Sequence, residues 1–411
     1  MHTLVIGAGI IGVNAANALL DLGHEVTIID PDGIAERTSR GNAGMIAYTD
    51  MVPLASPKVW RNLPGWLMDP LGPMAIRPSY ALKILPWMLK FIKASTPDRV
   101  EASTKAIISL NAGALQAWER REEKLGLKGK HLRHNGYYYV FTSESVARHY
   151  MTTAKRQEKL GFAVEVLDGA AIRKREPALG PNVAGGVYYP LGVTVSDPKW
   201  ITDAVGKAAL DRGAKLLLRA VKTIAATPRG ARVGLDDGTT IEADGAVIAA
   251  GVWSKELARQ LGDTIPLDAE RGYNITMPKG SLGISKTMIF EGAGIAASVF
   301  DDSDRVGGSV EFAGTELPPN YKRVDGVIAR LKRYVPSAKT DVGERWMGYR
   351  PSTPDSLPVI SRSKASPHIV YAFGHSHYGL TQSAVTGDLV AELVSQKRTS
   401  IDLMPFDAGR F

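Results

Sequence analysis

The 411-residue chain contains no cysteine. That excludes disulfides, iron–sulfur clusters, thiolate metal sites, cysteine nucleophiles and a flavin tethered through sulfur. Its eight histidines show no HExxH or other metal-ligand spacing, and no serine sits in a nucleophile elbow, so neither a metal site nor a serine hydrolase is expected. The 50 Lys and Arg face 42 Asp and Glu, too thin an excess over this length to point to nucleic acid. Internal repeats and low-complexity tracts are also absent, and 44% hydrophobic residues suit a folded chain with two or three cores.

One uncharged run, Thr3 to Leu20, is eighteen residues, a length open to a signal peptide or a membrane span. No basic cluster precedes it, Asn14 and Asn17 interrupt it, and Gly7, Gly9 and Gly12 form G-x-G-x-x-G. The pattern predicts a strand over 2–6, a tight turn, a helix from Ile10 to Leu22 and a second strand, EVTIID. Gly7 permits the bend, Gly9 lets a pyrophosphate approach the backbone and Gly12 brings helix against strand. The helix N-terminus adds about half a positive charge for the phosphates. Asp30, eighteen residues beyond Gly12, suits the ribose hydroxyls and repels the extra phosphate of NADP. NAD and FAD both remain open on these residues.

The next segment, Thr38-Ser39-Arg40-Gly41-Asn42-Ala43-Gly44-Met45, resembles the TSxxNxG stretch of the D-amino acid oxidase superfamily, whose members bind FAD. Distant segments extend the likeness: Asp244 to Ser254 resembles a strand ending in AAGxWS, Arg271-Gly272-Tyr273 an RGY strand, and Gly307 to Glu311 a GGxxE strand. Trp346 to Ile360 resembles WxGxRPxTPDxxPxI, followed by Gly374-His375-Ser376-His377-Tyr378-Gly379-Leu380-Thr381. The chain looks most similar to the catalytic subunits of bacterial D-amino acid dehydrogenases, including those acting on D-proline or hydroxy-D-proline. Two departures stand out: Asp30 replaces a more usual glutamate, and Gly374-His375-Ser376-His377 replaces a GHG start.

This resemblance implies an α/β fold, with a Rossmann-type FAD-binding domain assembled from discontinuous segments (1–50, 190–262 and 346–411). An α+β substrate domain with a mainly antiparallel sheet takes 101–189 and 263–345, and 51–100 form an insertion. It further implies that Gly7, Gly9, Ile10, Ile11, Gly12 and Asp30 bind FAD non-covalently. Ser39, Asn42, Ala43, Gly44 and Met45, then Val221, Ala250, Gly251 and Trp253, then Gly348, Gly374, His375, Gly379, Leu380 and Thr381, complete that site.

Arg350 is the first candidate for substrate, because a guanidinium grips a carboxylate through two parallel hydrogen bonds and so orients Cα–H. A structural ion pair is its alternative role. Tyr273 is favoured over Arg271 as a second substrate contact, and His377 is a third candidate; either histidine of the 374–381 turn also suits backbone satisfaction instead. The expected reaction is oxidative deamination of a D-amino acid by hydride transfer from Cα to flavin N5, with a quinone-type acceptor. The alternatives are a sarcosine- or glycine-type oxidase using oxygen and a non-catalytic flavoprotein.

Residues 51–99 carry Lys58, Arg61, Arg77, Lys83, Lys90, Lys93 and Arg99 against only Asp69 and Asp98, together with Trp60, Trp66 and Trp87. Helical spacing gathers Lys83, Lys90 and Lys93 in one arc of 81–93. Such a helix suits either a lid packed on its own domain or peripheral contact with a membrane interface. The lack of cysteine fits a reducing cytoplasm, so the expected location is cytoplasmic, with the inner face of the plasma membrane as a candidate surface.

Overall fold

The computed structural model describes residues 1–57 and 72–411. Its first sheet runs in the order Lys215–Leu217, Glu25–Ile29, His2–Ile6, Gly245–Ile248, Ser366–Phe373, Val359–Ser363. The first five strands are parallel and the last antiparallel. Val5 pairs with Ile28 on one side and Val247 on the other, so the strands are buried on both faces and read as unbroken apolar runs. Helices Ile10–Asp21 and Gly379–Val394 cover one face. They approach so closely that a Cβ on Gly387 would lie 2.7 Å from the Asn14 carbonyl oxygen. The two asparagines inside the uncharged run are buried with their amide nitrogens bonded, Asn14 Nδ2 to the Ile10 carbonyl and Asn17 Nδ2 to the Val205 carbonyl.

A second, mainly antiparallel sheet of nine strands holds the rest of the frame. Its backbone is the long strand Asp268–Pro278, flanked by Ser303–Phe312 and Glu344–Ser352. Alternation sends Glu270, Gly272 and Asn274 to one face and Arg271, Tyr273 and Ile275 to the other. The latter face packs under helix Lys322–Lys332 in a core with Val324 and Val327.

Two expected boundaries need correction. Residues 346–352 belong to the nine-stranded sheet and not to the FAD-binding segment, because Trp346, Gly348 and Arg350 pair in register with Asn274, Gly272 and Glu270. The start of the expected substrate-domain segment 101–189 falls in two helices, Pro97–Asn111 and Ala114–Lys124. Both join the core of the parallel-sheet domain through Ile107, Leu110 and Trp118, and the Trp118 indole donates to the Leu380 carbonyl oxygen. Their apolar stripes complete the cover of helix Gly379–Val394, a tertiary match that periodicity does not address.

Of the insertion, Lys58, Arg61, Trp60, Trp66 and Asp69 lie outside the described residues. Met74–Ile76 adds a parallel strand beside Val310–Phe312. Helix Ala81–Ala94 runs through Pro86 and buries Ile84, Trp87, Met88 and Phe91.

Candidate active site

A cavity of about 1680 Å³ runs from the Gly7–Ile11 turn, past Thr38–Met45 and Ala249–Trp253, to a pocket lined by Arg350, Glu270, His377, Tyr80 and Trp87. The first part is built from close backbone approach. Gly7 has φ +109° and a Cβ there would lie 2.5 Å from the Ala249 carbonyl oxygen; one on Gly12 would lie 1.9 Å from the Gly7 oxygen. No side chain larger than hydrogen fits either position.

Asp30 accepts from the amides of Ala8, Asp32 and Gly33 at 2.9, 2.9 and 3.1 Å. The carboxylate thereby braces the turn while still lining the cavity. Ser39 Oγ accepts from Ile10 N at 2.9 Å. Asn42 locks its own loop, donating to the Ser39 carbonyl and accepting from Gly44 N, both at 2.8 Å. Gly44, at φ +66°, leaves room for the Phe300 ring.

Ile10, Ile11, Ala43, Met45, Val221, Ala250, Gly251, Trp253, Gly348, His375, Gly379 and Leu380 all line the cavity. Gly12, Gly374 and Thr381 stand behind its wall, outside the lining residues. Thr381 Oγ1 accepts from Ala47 N at 2.9 Å, so it supports the wall and does not face the cavity. Gly348 also makes room for an indole, since the Trp346 ring would lie 2.0 Å from a Cβ there and 2.0 Å from one on Gly41. His375 is buried with Nε2 3.0 Å from Thr386 Oγ1, and burial pushes its pKa down to about 3, so the ring is neutral.

At the pocket end, Arg350 Nη1 donates to Glu270 Oε1 at 3.1 Å and His377 Nε2 lies 2.6 Å from the same oxygen. Ser352 Oγ donates to Oε2 at 3.1 Å. Burial by itself raises the Glu270 pKa, but the charge and hydrogen bond of His377 together with Arg350 and Ser352 overcome it and hold the group at about 2. Arg350 therefore has the ion pair that its alternative role required and also remains open to the pocket, with a quarter of its side chain exposed. Its guanidinium lies across Gly272, where a Cβ would be 2.4 Å from Nη2.

Tyr273 is among the residues lining the cavity, yet it is corrected as a substrate contact because its hydroxyl is engaged elsewhere. Its buried hydroxyl donates to Glu311 Oε2 at 2.5 Å and accepts from Asn320 N at 3.1 Å. It shares the helix-facing side of its strand with Arg271, which is fully buried and donates to the carbonyl oxygens of Gly314 and Leu317. Both motif side chains hold the sheet from behind, since residues two apart share one face. Glu270 was missed from the sequence, although glycine at 272, two positions along and so on the same strand face, was a signal that this face is the one approached closely.

A more distant lobe of the cavity holds Asp50, whose Oδ1 accepts from Tyr139 OH at 2.6 Å. Burial, reinforced by Glu291 and opposed by the Tyr139 bond, raises this carboxyl to about 7.

A glycine-cradled dinucleotide groove that ends in an arginine pocket under an antiparallel sheet defines a flavin-type oxidoreductase. The chain belongs to the family described as FAD dependent oxidoreductase (DAO), whose family model matches residues 2–393, and FAD is its cofactor. It is 36% identical over 420 residues to a D-amino-acid oxidase of Bradyrhizobium diazoefficiens, covering 100% of this chain and 99% of the relative. It is 28% identical to a D-amino acid dehydrogenase of Neisseria meningitidis serogroup C, covering 98% and 97%. Among solved structures, glycine oxidase from Geobacillus kaustophilus superposes with TM-score 0.79 at 22% identity, covering 100% of this chain and 98% of that one. L-proline dehydrogenase from P. horikoshii gives 0.77 at 21%, covering 100% and 97%. These two likenesses speak to fold alone.

Proposed function

We propose that the enzyme oxidises D-amino acids to imino acids, with D-proline and hydroxy-D-proline among its candidate substrates and a quinone-type molecule as electron acceptor. The observation that carries this reading is Arg350, held by a buried carboxylate at the inner end of the cofactor groove. Bound FAD supplies the acceptor for a hydride and its two electrons. Arg350 receives the substrate carboxylate and fixes the orientation of Cα–H, a positioning that lowers the barrier by prepaid entropy. Trp87 and Tyr80 wall the pocket from the insertion side, where the Trp87 indole donates to the Ser352 carbonyl oxygen at 3.1 Å and Tyr80 OH donates to Asp268.

The test is the visible spectrum of the anaerobic protein before and after D-proline, D-alanine, L-proline and sarcosine, added separately. Bleaching by D-isomers alone supports the reading, and bleaching only by sarcosine replaces it with N-methyl amine oxidation. Oxygen as the acceptor is a second reading, favoured because the 36%-identical relative is named an oxidase. Oxygen uptake measured against quinone or dye reduction separates the two.

Peripheral membrane contact belongs to the quinone reading. Helix Ala81–Ala94 leaves Leu82 86%, Leu85 50%, Leu89 57% and Ile92 45% exposed, beside the exposed Lys83, Lys90 and Lys93. An apolar stripe flanked by lysines fits the boundary of an anionic bilayer. Among the described residues no helix is long and apolar enough to cross a membrane, so the contact proposed is with one leaflet.

A further inference from the structure

We propose that His377, oriented by Glu270, takes the α-ammonium proton of the substrate before the hydride leaves. The proposal rests on the amino acid oxidation argued above and deepens it. A neutral-pH amino acid carries its amine as ammonium, whereas forming a C=N bond needs the nitrogen lone pair. A proton must therefore leave first, and the pocket needs a group to receive it.

The geometry selects that group. Glu270 is buried with cationic and hydroxyl partners around both oxygens, and an ionised carboxylate only accepts hydrogen bonds. The hydrogen in the 2.6 Å contact thus sits on His377 Nε2, and whenever the ring carries only that proton its lone pair stands at Nδ1. Nδ1 makes no hydrogen bond to any described residue, and the side chain, 35% exposed, lines the pocket. His375 offers no such lone pair to the pocket, being buried against Thr386.

Arg350 and His377 meet on the same Oε1 atom, and an amino acid separates its carboxylate from its amine by a single carbon. A substrate whose carboxylate lies on Arg350 therefore brings its amine toward the adjacent imidazole. The N–H bond of the ammonium breaks, the H–Nδ1 bond forms, and the electron pair stays on the substrate nitrogen. Cα–H then departs as hydride to the flavin, leaving the C=N bond, and the imidazolium later returns its proton to solvent. Glu270 balances the transient imidazolium charge, as a carboxylate behind a catalytic histidine does elsewhere. The other titratable groups lining the cavity near this end include Asp268, Lys255, Tyr80 and Tyr273 from the facing elements and Tyr378 from the same turn. Tyr80 OH is committed to Asp268 and Tyr378 OH to the Val52 carbonyl.

The experiment follows anaerobic flavin reduction by a D-amino acid from pH 6 to 10 in the holoenzyme, His377→Gln, His377→Asn and Glu270→Gln. Titration with benzoate, a carboxylate without an amine, is followed in parallel by the flavin absorbance shift. Both His377 variants are expected to reduce about 100-fold more slowly at pH 7, with the deficit closing as the substrate ammonium deprotonates by itself at high pH and benzoate binding retained. Glu270→Gln should fall between wild type and those variants at pH 7. Reduction by both His377 variants at the wild-type rate, or a deficit equal at every pH, overturns the proposal. A wild-type flavin that binds benzoate yet is bleached by no D-amino acid overturns the underlying reading instead.

Discussion

Glu270 Oε1 lies 2.6 Å from His377 Nε2, and that contact joins a strand of the antiparallel sheet to the turn that enters helix Gly379–Val394. It ties the substrate-facing sheet to the cofactor-facing domain at the point where the pocket begins.

Because ion pairing lowers the Glu270 pKa to about 2, the group favours the folded state at every pH above its unfolded value of about 4.3. That contribution disappears as pH falls from about 4 through 2. Melting temperatures of wild type and Glu270→Gln should therefore converge over this window and separate above it, with the wild type the more stable. Parallel melting curves from pH 7 down to 2 would contradict the assignment.

Arg350→Ala should raise the substrate concentration needed for half-maximal reduction by at least about 100-fold while the protein remains yellow, since truncating a charge-paired anchor costs roughly 2–5 kcal/mol. Unchanged half-saturation would move the carboxylate clamp to another residue.

Tyr273→Phe should leave half-saturation by substrate nearly unchanged. Its expected cost is stability, about 1–3 kcal/mol, because buried Glu311 loses a hydrogen-bond donor. A large rise in half-saturation with an unaltered melting temperature would restore Tyr273 to the pocket.

Gly12→Ala should yield a colourless or unstable protein, because the new methyl must displace the Gly7 carbonyl 1.9 Å away. The ratio of flavin to protein absorbance after purification reads this directly.

Replacing Leu85 and Leu89 together by Gln should reduce cosedimentation with anionic vesicles at low salt and leave the melting temperature within about 1 °C, since exposed positions contribute little to folding. Vesicle binding equal to wild type would make the stripe irrelevant to membranes.

The cofactor groove was legible in the residues because its requirements are local. A turn that tolerates only hydrogen at Gly7 and Gly12, an apolar strand buried on both sides and an acid at the next strand end all fall within thirty residues, and backbone sterics leave few other arrangements. The pocket was legible only as Arg350 and His377. Glu270 and Tyr273 lie three positions apart in one strand, and the sequence of that strand does not say which phase faces the cavity. Packing of Ile275 and Tyr273 beneath helix Lys322–Lys332 decided it. Helices 97–111 and 114–124 were likewise assigned by burial against Gly379–Val394 and not by any local signal. The sequence alone thus determined a dinucleotide groove and its family, because those features are fixed by backbone geometry over short spans. Only tertiary structure decided which side chains share the pocket, because residues 270, 350 and 377 meet through strand register and sheet facing across more than a hundred positions of chain.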